Sequence, residues 1–149
     1  MPSPITQLEQ LVVTSKSKTF LREIARWTFF FSILGFIGIT FLLIAGILIG
    51  FTYASVLDMV SQQQGLPALG LPLAISYVVS ALLYFMPVWY LFKFSRKMKS
   101  ALATKNDDVL ADAFENLKSH FKFIGVLTII VISLYVLLIV FSIVAGSLV

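Results

Sequence analysis

The sequence contains a single histidine, the residue type used most often for acid–base catalysis, and this histidine lacks the neighbouring residues that such catalysis needs. His120 follows Ser119, but adjacent side chains on a helix point about 100° apart, so the two do not form a nucleophile and its base. With a single histidine and no cysteine, one chain offers no cluster of nitrogen and sulfur ligands for a transition metal. We therefore predict no catalytic, cofactor-binding or metal-binding residues, and we expect His120 to face solvent or lipid headgroups.

Two adjacent carboxylates, Asp107 and Asp108, superficially suggest a cation site, but helix capping explains them. Thr104 or Asn106 can cap a helix that begins there, and the helix dipole favours anions in its first turn. The glycines between 35 and 50 do not predict a phosphate loop, because they fall inside an apolar stretch. The polar residues of the apolar stretches are neutral, which favours hydrogen bonds between helices over ion transport.

The composition places these residues in a membrane. Of the 149 residues, 59% are hydrophobic and only 12% are charged, and the mean hydropathy is +0.99. A soluble domain of this size needs more charge to cover its surface, so the composition excludes a soluble enzyme and a disordered chain. The length predicts one domain, 1–149.

Three long runs contain no charged residue, and a membrane-spanning helix needs about 20 apolar residues. The uncharged runs are Trp27–Leu57, Met59–Phe92 and Phe123–Val149. The sequence therefore predicts an all-α integral membrane protein with three transmembrane helices at about 28–53, 72–92 and 123–147.

The first half of the second run is not apolar. It carries Ser61-Gln62-Gln63-Gln64-Gly65-Leu66-Pro67, and a second Gly-Leu-Pro follows at residues 70–72. Proline is favoured in the first turn of a helix, where its missing N–H is not needed. The pattern predicts a loop over 55–71, with Pro72 opening the second span.

The basic residues set the orientation. All eleven Lys and Arg residues lie in the N-terminal segment 1–27 or in the segment 93–122, and the loop 55–71 has none. By the positive-inside rule these two segments are cytoplasmic, which places the N-terminus inside and the C-terminus outside. The net charge of +4 suits a bilayer with anionic headgroups as a partner, and we predict no nucleic-acid binding.

The segment 93–122 predicts a cytoplasmic helical hairpin that extends the second and third spans, with its tip near residue 106. An apolar stripe on the second arm runs into the third span without a breaker, which indicates one helix of about 40 residues. The stripe consists of Val109, Leu110, Ala113, Phe114, Leu117, Phe121 and Ile124. Three interpretations stay open: the arms pack on each other, one arm lies on the membrane, or a partner protein docks at Phe114, Leu117, Lys118 and Phe121.

The N-terminal segment predicts an amphipathic helix ahead of the first span. Its apolar face carries Phe20, Leu21, Ile24, Trp27 and Phe31, and its polar face carries Arg22, Glu23 and Arg26. Arg22, Arg26 and Trp27 suit the membrane interface. The helix is either an interfacial anchor that leads or bends into the span, or a lipid-sensing or membrane-remodelling helix. Residues 5–13 form a weak helix or stay loose.

Small residues mark candidate positions of close helix packing. Gly46 and Gly50 form a GxxxG motif, and Gly38 lies along the same stripe. Ser142 and Gly146 form a similar pair in the third span. The contacts lie either within one chain or between chains. In the second span, Pro87 predicts a kink.

Three segments carry a resemblance to a known family. They are Phe20-Leu21-Arg22-Glu23-Ile24-Ala25-Arg26-Trp27, Ile33-Leu34-Gly35-Phe36-Ile37-Gly38 and Ala113-Phe114-Glu115-Asn116-Leu117-Lys118-Ser119-His120-Phe121-Lys122-Phe123-Ile124-Gly125. From about residue 16 the chain resembles an uncharacterised family of small bacterial inner-membrane proteins, a domain of unknown function. The resemblance implies a multi-span protein of the bacterial inner membrane and brings no catalytic residues.

These features together predict a non-catalytic protein without cofactors. The leading hypothesis is an accessory or scaffold subunit of a larger membrane complex, or a self-associating membrane protein, so the expected partners are other membrane subunits or further copies. A small oligomeric channel or transporter component is the alternative, and a lipid-surface binding protein is the third.

Overall fold

The described part of the chain is built from helices alone. A computed structural model describes residues 13–147, and within that range there is no strand. The helices are α1 (Ser15–Leu48), α2 (Ala54–Gln63), α3 (Gly70–Thr104) and α4 (Asp107–Ser147), and a π-helical turn, Ile49–Tyr53, joins α1 to α2. The predicted all-α class is confirmed. Three helical stretches are long and apolar enough to cross a membrane: Ser15–Gln63, Gly70–Thr104 and Asp107–Ala145.

Local hydrogen bonds define the helix ends. The Thr14 side-chain oxygen accepts a hydrogen bond of 3.2 Å from the Ser17 N–H and caps α1. Helix α3 ends at Thr104 and is followed by the left-handed residue Lys105, at φ 53°. The Asn106 side-chain oxygen then accepts from the Val109 N–H at 3.2 Å and caps α4. The turn of the hairpin therefore lies where the sequence predicts it.

The predicted loop over 55–71 is wrong for most of its length. Helix α2 extends to Gln63 and α3 begins at Gly70, so only residues 64–69 are non-helical. Gly65, at φ +70°, ends α2: the Leu66 N–H donates to the Ser61 carbonyl at 2.9 Å, and the Gly65 N–H donates to the Gln62 carbonyl at 3.0 Å. This is a Schellman motif, which requires a left-handed residue such as glycine just after the last turn. The turn signal in the sequence marks the end of a helix, whereas the polar residues before it remain helical.

The π-helical turn adjusts which side of the first helical arm faces α3. Before it, four of the five buried residues of α1 recur every seven positions, at Ala25, Ser32, Ile39 and Gly46. After it, the inward-facing positions are Ala54, which is half-buried, and Ser61, which is buried. The interval from Gly46 to Ala54 is eight residues instead of seven, as expected when a π turn inserts one residue into the helical repeat. The insertion keeps α2 in contact with the start of α3.

Helix α3 is the centre of the packing. It lies against α1 and against α4, whereas no Cα atom of α1 comes within 8 Å of a Cα atom of α4 in residues 13–147. The core cluster consists of Ala25, Phe94, Met98 and Ala113, with Leu21, Leu102, Leu110 and Leu117 packed around it. Most of the best-buried apolar side chains thus gather at the hairpin end, in a cluster around α3 to which α1 and α4 both contribute.

The predicted amphipathic segment is the first part of α1, which continues through it without a break to Leu48. The expectation for residues 5–13 falls almost entirely outside the described residues.

Candidate functional site

The contact between α1 and α3 depends on small residues. An added Cβ at Gly46 would lie 3.2 Å from the Tyr77 Cβ and from the Val78 side chain, and one at Gly50 would lie 3.3 Å from the Ala74 Cβ. Glycine lets two backbones approach this closely, and in lipid that approach is rewarded by van der Waals packing. Both glycines of the GxxxG motif therefore contact α3 within one chain.

Gly38 does not join this contact. A Cβ built there meets nothing within 4 Å, whereas one at Gly35 would lie 2.7 Å from a methyl carbon of Val88. Helix geometry explains the difference, because Gly35 precedes Gly46 by eleven residues, about three whole turns, and Gly38 precedes it by eight. Sequence reasoning also missed Gly70, where a Cβ would overlap the backbone of Ala54 and come within 2.5 Å of its Cα atom.

The small-residue pair proposed for the third span is not buried inside the chain at its described position. Ser142 is exposed, and so is every residue from Thr128 to Ile143. Along α4, the last half-buried residue is Leu127, and no residue of the described stretch beyond it is buried. The surroundings of Gly146 lie outside what the structure describes.

Asp58 makes a polar contact that sequence reasoning did not anticipate. One of its carboxylate oxygens accepts a 2.8 Å hydrogen bond from the Gly70 N–H, at the first residue of α3. The first N–H groups of a helix lack partners within the helix and are favourable sites for an anion. A signal was present in the sequence, because Asp58 is the only charged residue between Arg26 and Lys93.

Two polar contacts join the arms of the hairpin. Lys97 forms an exposed ion pair with Asp112 at 2.7 Å. His120 lies farther from the tip, half-buried, with its Nδ1 atom 2.8 Å from the Pro87 carbonyl oxygen. A carbonyl oxygen only accepts, so the Nδ1 atom carries the hydrogen and donates. The expectation that His120 faces solvent or headgroups is therefore wrong: the ring contacts the other arm of the hairpin.

The four residues proposed for partner docking separate into two groups. Phe114, Lys118 and Phe121 are exposed along one strip of α4, with Phe121 at 64% exposure. Leu117 packs against the buried core cluster, and the exposed Phe114 ring also lies 6.5 Å from the ring of Phe94 in that cluster. Because Leu117 lies to one side of the strip, toward α3, the hairpin buries part of the apolar stripe and leaves part of it uncovered.

Basic and aromatic side chains gather at the hairpin end of α1 and α3. Three cations of α3 each lie over an aromatic ring: Lys93 over Trp89, Arg96 over Phe92 and Lys99 over Phe29. The residues predicted for the membrane interface, Arg22, Arg26 and Trp27, are exposed on α1 at this same end. Such a combination is typical of the headgroup level of a membrane protein.

No group of three His, Cys, Asp or Glu side chains in the described range is arranged to hold a metal ion. The structure defines three surfaces: the α1–α3 interface, the exposed outer half of α4, and the basic aromatic end.

The comparisons with known proteins agree with the resemblance in part. The model of a family of unknown function, DUF5362, matches residues 68–143, about half of the chain. That region includes the segment Ala113–Gly125, on which the resemblance partly rested, and excludes the two segments of α1. No curated protein and no solved structure matches the chain.

Proposed function

We propose that this chain, which belongs to the DUF5362 family of unknown function, is a non-catalytic protein of the bacterial inner membrane that serves as an accessory or scaffold subunit of a larger complex. In this proposal α1 and α3 form a stable packed pair. The outer half of α4 is the surface offered to another transmembrane helix, from a different subunit or from a second copy.

The observation that carries the proposal is the exposure of α4. From Thr128 to Ile143 every residue is exposed on every face of the helix, although α1 and α3 pack closely along their length. Helices in lipid associate through packing and hydrogen bonds, and this stretch offers branched apolar side chains together with Ser133 and Ser142. A chain that packs two spans on each other and leaves the outer half of the third exposed has a helix surface available for a partner.

The distribution of charge supports the proposed orientation. The antiparallel arrangement brings Arg22 and Arg26 of α1 to the same end as Lys99 of α3. The connection between α2 and α3 lies at the opposite end and contains no Lys or Arg. By the positive-inside rule the basic end is cytoplasmic, which gives an N-terminus inside and a C-terminus outside.

The test is co-purification of the tagged full chain from native membranes in a mild detergent, with the bound proteins identified by mass spectrometry. We expect a defined partner, or a multimer of the chain itself. Replacement of Val136 and Ile139 by Trp in α4 should abolish the association. The matched changes Ile44→Trp in α1 and Ile75→Trp in α3, at similarly exposed positions, should leave it intact.

Two results would contradict the proposal. One is recovery of the wild-type chain as a monomer without partners, and the other is equal loss of the partner in all the Trp variants. Ion or solute flux through proteoliposomes containing the pure chain would favour the channel alternative instead.

A further inference from the structure

A groove between α1 and α3 brings together three cations from two helices. It has a volume of about 250 Å³ and is lined by Arg22, Arg26, Lys99, Leu102 and Ala103. The two arginines are one turn apart on α1, and the lysine comes from the facing helix. The cluster therefore exists only when the two helices are packed.

The cations of this groove are not neutralised by the protein. The only ion pair within residues 13–147 joins Lys97 to Asp112, so no described carboxylate lies within 4 Å of the three cationic groups. Glu23 is on the adjacent face of α1 and does not line the groove. Two guanidinium groups and one ammonium group without a counter-charge form a binding site for an anion, and each guanidinium can donate two hydrogen bonds to it. Phosphate oxygens fit this site best, because arginine binds them with paired hydrogen bonds and lysine adds a point charge.

An apolar surface adjoins the basic groove. A second, larger depression of about 750 Å³ shares Arg22 and Arg26 with the groove and continues over Trp27 and Phe30, with Thr19 and Glu23 also in its lining. Both aromatic side chains are more than half exposed, and they begin the charge-free run of α1. A ligand that reached both surfaces would have an anionic end and an apolar end.

We propose that Arg22, Arg26 and Lys99 bind the phosphate of an anionic phospholipid whose acyl chains lie along Trp27 and Phe30. The inference rests on the proposed membrane placement but not on the proposed role in a complex. It differs from general attraction between a basic surface and anionic headgroups, because one groove of defined residues holds one phosphate.

The test measures lipid binding to the full chain in detergent by native mass spectrometry, with phosphatidylglycerol and phosphatidylcholine as the probes. We expect the wild-type chain to bind phosphatidylglycerol more tightly. Arg26→Gln and Lys99→Gln should each weaken that binding about five- to tenfold, since one neutralised charge near an anionic lipid changes the binding free energy by about 1 kcal/mol or slightly more. Binding of phosphatidylcholine should not change.

The matched controls remove the same charge outside the groove. Lys118→Gln and Lys122→Gln on α4 should change phosphatidylglycerol binding less than twofold. Lys99→Arg should retain the binding, which separates the charge of Lys99 from its packing on the Phe29 ring. Thermal unfolding of each variant shows whether the fold is kept.

Four outcomes would overturn the assignment. Phosphatidylglycerol and phosphatidylcholine could bind equally well, or the α4 control variants could weaken phosphatidylglycerol binding as much as the groove variants do. Both groove variants could bind phosphatidylglycerol as tightly as the wild-type chain, or millimolar inorganic phosphate could displace the lipid completely. The last would indicate a site for free phosphate. Failure of the wild-type chain to insert into phosphatidylcholine vesicles would contradict the membrane placement itself, and with it this site. Insertion without a preference for phosphatidylglycerol would contradict only the site.

Discussion

The carboxylate of Asp58 accepts a hydrogen bond of 2.8 Å from the backbone N–H of Gly70, so a side chain of α2 caps the N-terminus of α3. Gly70 also packs so closely on Ala54 that no side chain fits between the two backbones. The hydrogen bond and the close backbone contact fix the same corner of the fold. This corner determines how α3 lies against the first helical arm.

Removal of the Asp58 acceptor should loosen that corner. We expect Asp58→Ala to lower the free energy of unfolding by about 1 kcal/mol, the usual effect of losing a capping acceptor. Asp58→Asn keeps an oxygen that accepts the same hydrogen bond and should lose less. Thermal unfolding in detergent, followed by circular dichroism, measures both variants. An Asn variant as unstable as the Ala variant would show that the hydrogen bond itself is not the stabilising element.

Substitution of the packed glycines should destabilise the chain without changing its mass in detergent. We expect Gly46→Ile to lower the free energy of unfolding by about 1–3 kcal/mol, because the new side chain must displace Tyr77 and Val78 of α3. Gly38→Ile is the matched control, because a Cβ there meets nothing within 4 Å. Equal stability of the two variants would contradict the close contact, and dissociation of an oligomer by Gly46→Ile would place that contact between chains.

The long helices could be predicted because hydrophobic periodicity and helix caps are visible in the sequence. The contacts that the sequence did not predict depend on how the helices pack in three dimensions. The stripe from Val109 to Ile124 and the acidic residues after Asn106 correctly indicated a helix of about 40 residues, because both are local features. The hydrogen bond between Asp58 and Gly70 spans twelve positions and depends on the packing of two helices. Such a contact has no local pattern.

The candidate packing residues show the same limit. A stripe of glycines in the sequence indicates that a helix has a closely packed face, but it does not show which residues lie at the middle of that face. With 3.6 residues per turn, positions eight apart no longer point in the same direction. Gly35 lies on that face and Gly38 does not. The loop over 55–71 was predicted because glutamines and turn residues were considered together, whereas the chain stays helical until Gly65 takes a left-handed conformation.

The hairpin should depend on its buried side chains far more than on its ion pair. Met98 is completely buried in the core cluster, so we expect Met98→Ala to cost about 2–5 kcal/mol. Lys97 and Asp112 form an exposed pair, and Asp112→Asn should cost less than about 1 kcal/mol. Chemical unfolding in detergent compares the two variants. A larger effect of Asp112→Asn would mean that charge holds the arms together.

The proposed orientation predicts which ends of the hairpins are accessible from outside the cell. The chain has no cysteine, so single cysteines introduced at the exposed residues Gln63 and Asn106 are unique probes. We expect an impermeant thiol reagent to label Gln63→Cys in intact cells and to label Asn106→Cys only after the membrane is opened. The reverse pattern would invert the orientation, and equal labelling of both in intact cells would contradict the three-span topology.

The hydrogen bond from His120 to Pro87 should help to hold the two arms of the hairpin together. It joins residues 33 positions apart, and a few residues later α4 becomes exposed on all sides. His120→Leu keeps a side chain of comparable bulk but removes the donor, so we expect it to weaken the closed hairpin by about 1 kcal/mol. His120→Asn places a donor nitrogen near the position of Nδ1 and should restore part of the loss.

Amide hydrogen exchange over residues 108–124 measures this opening directly, since the loss of one contact between the arms should speed exchange there. Ser119→Ala is the control, because the Ser119 hydroxyl donates to the Glu115 carbonyl of its own helix and joins nothing across the hairpin. Faster exchange in His120→Leu alone, with partial recovery in His120→Asn, is the expected result. Equal exchange rates in His120→Leu and Ser119→Ala would show that the arms stay together through the core around Phe94 and Met98 without help from the histidine.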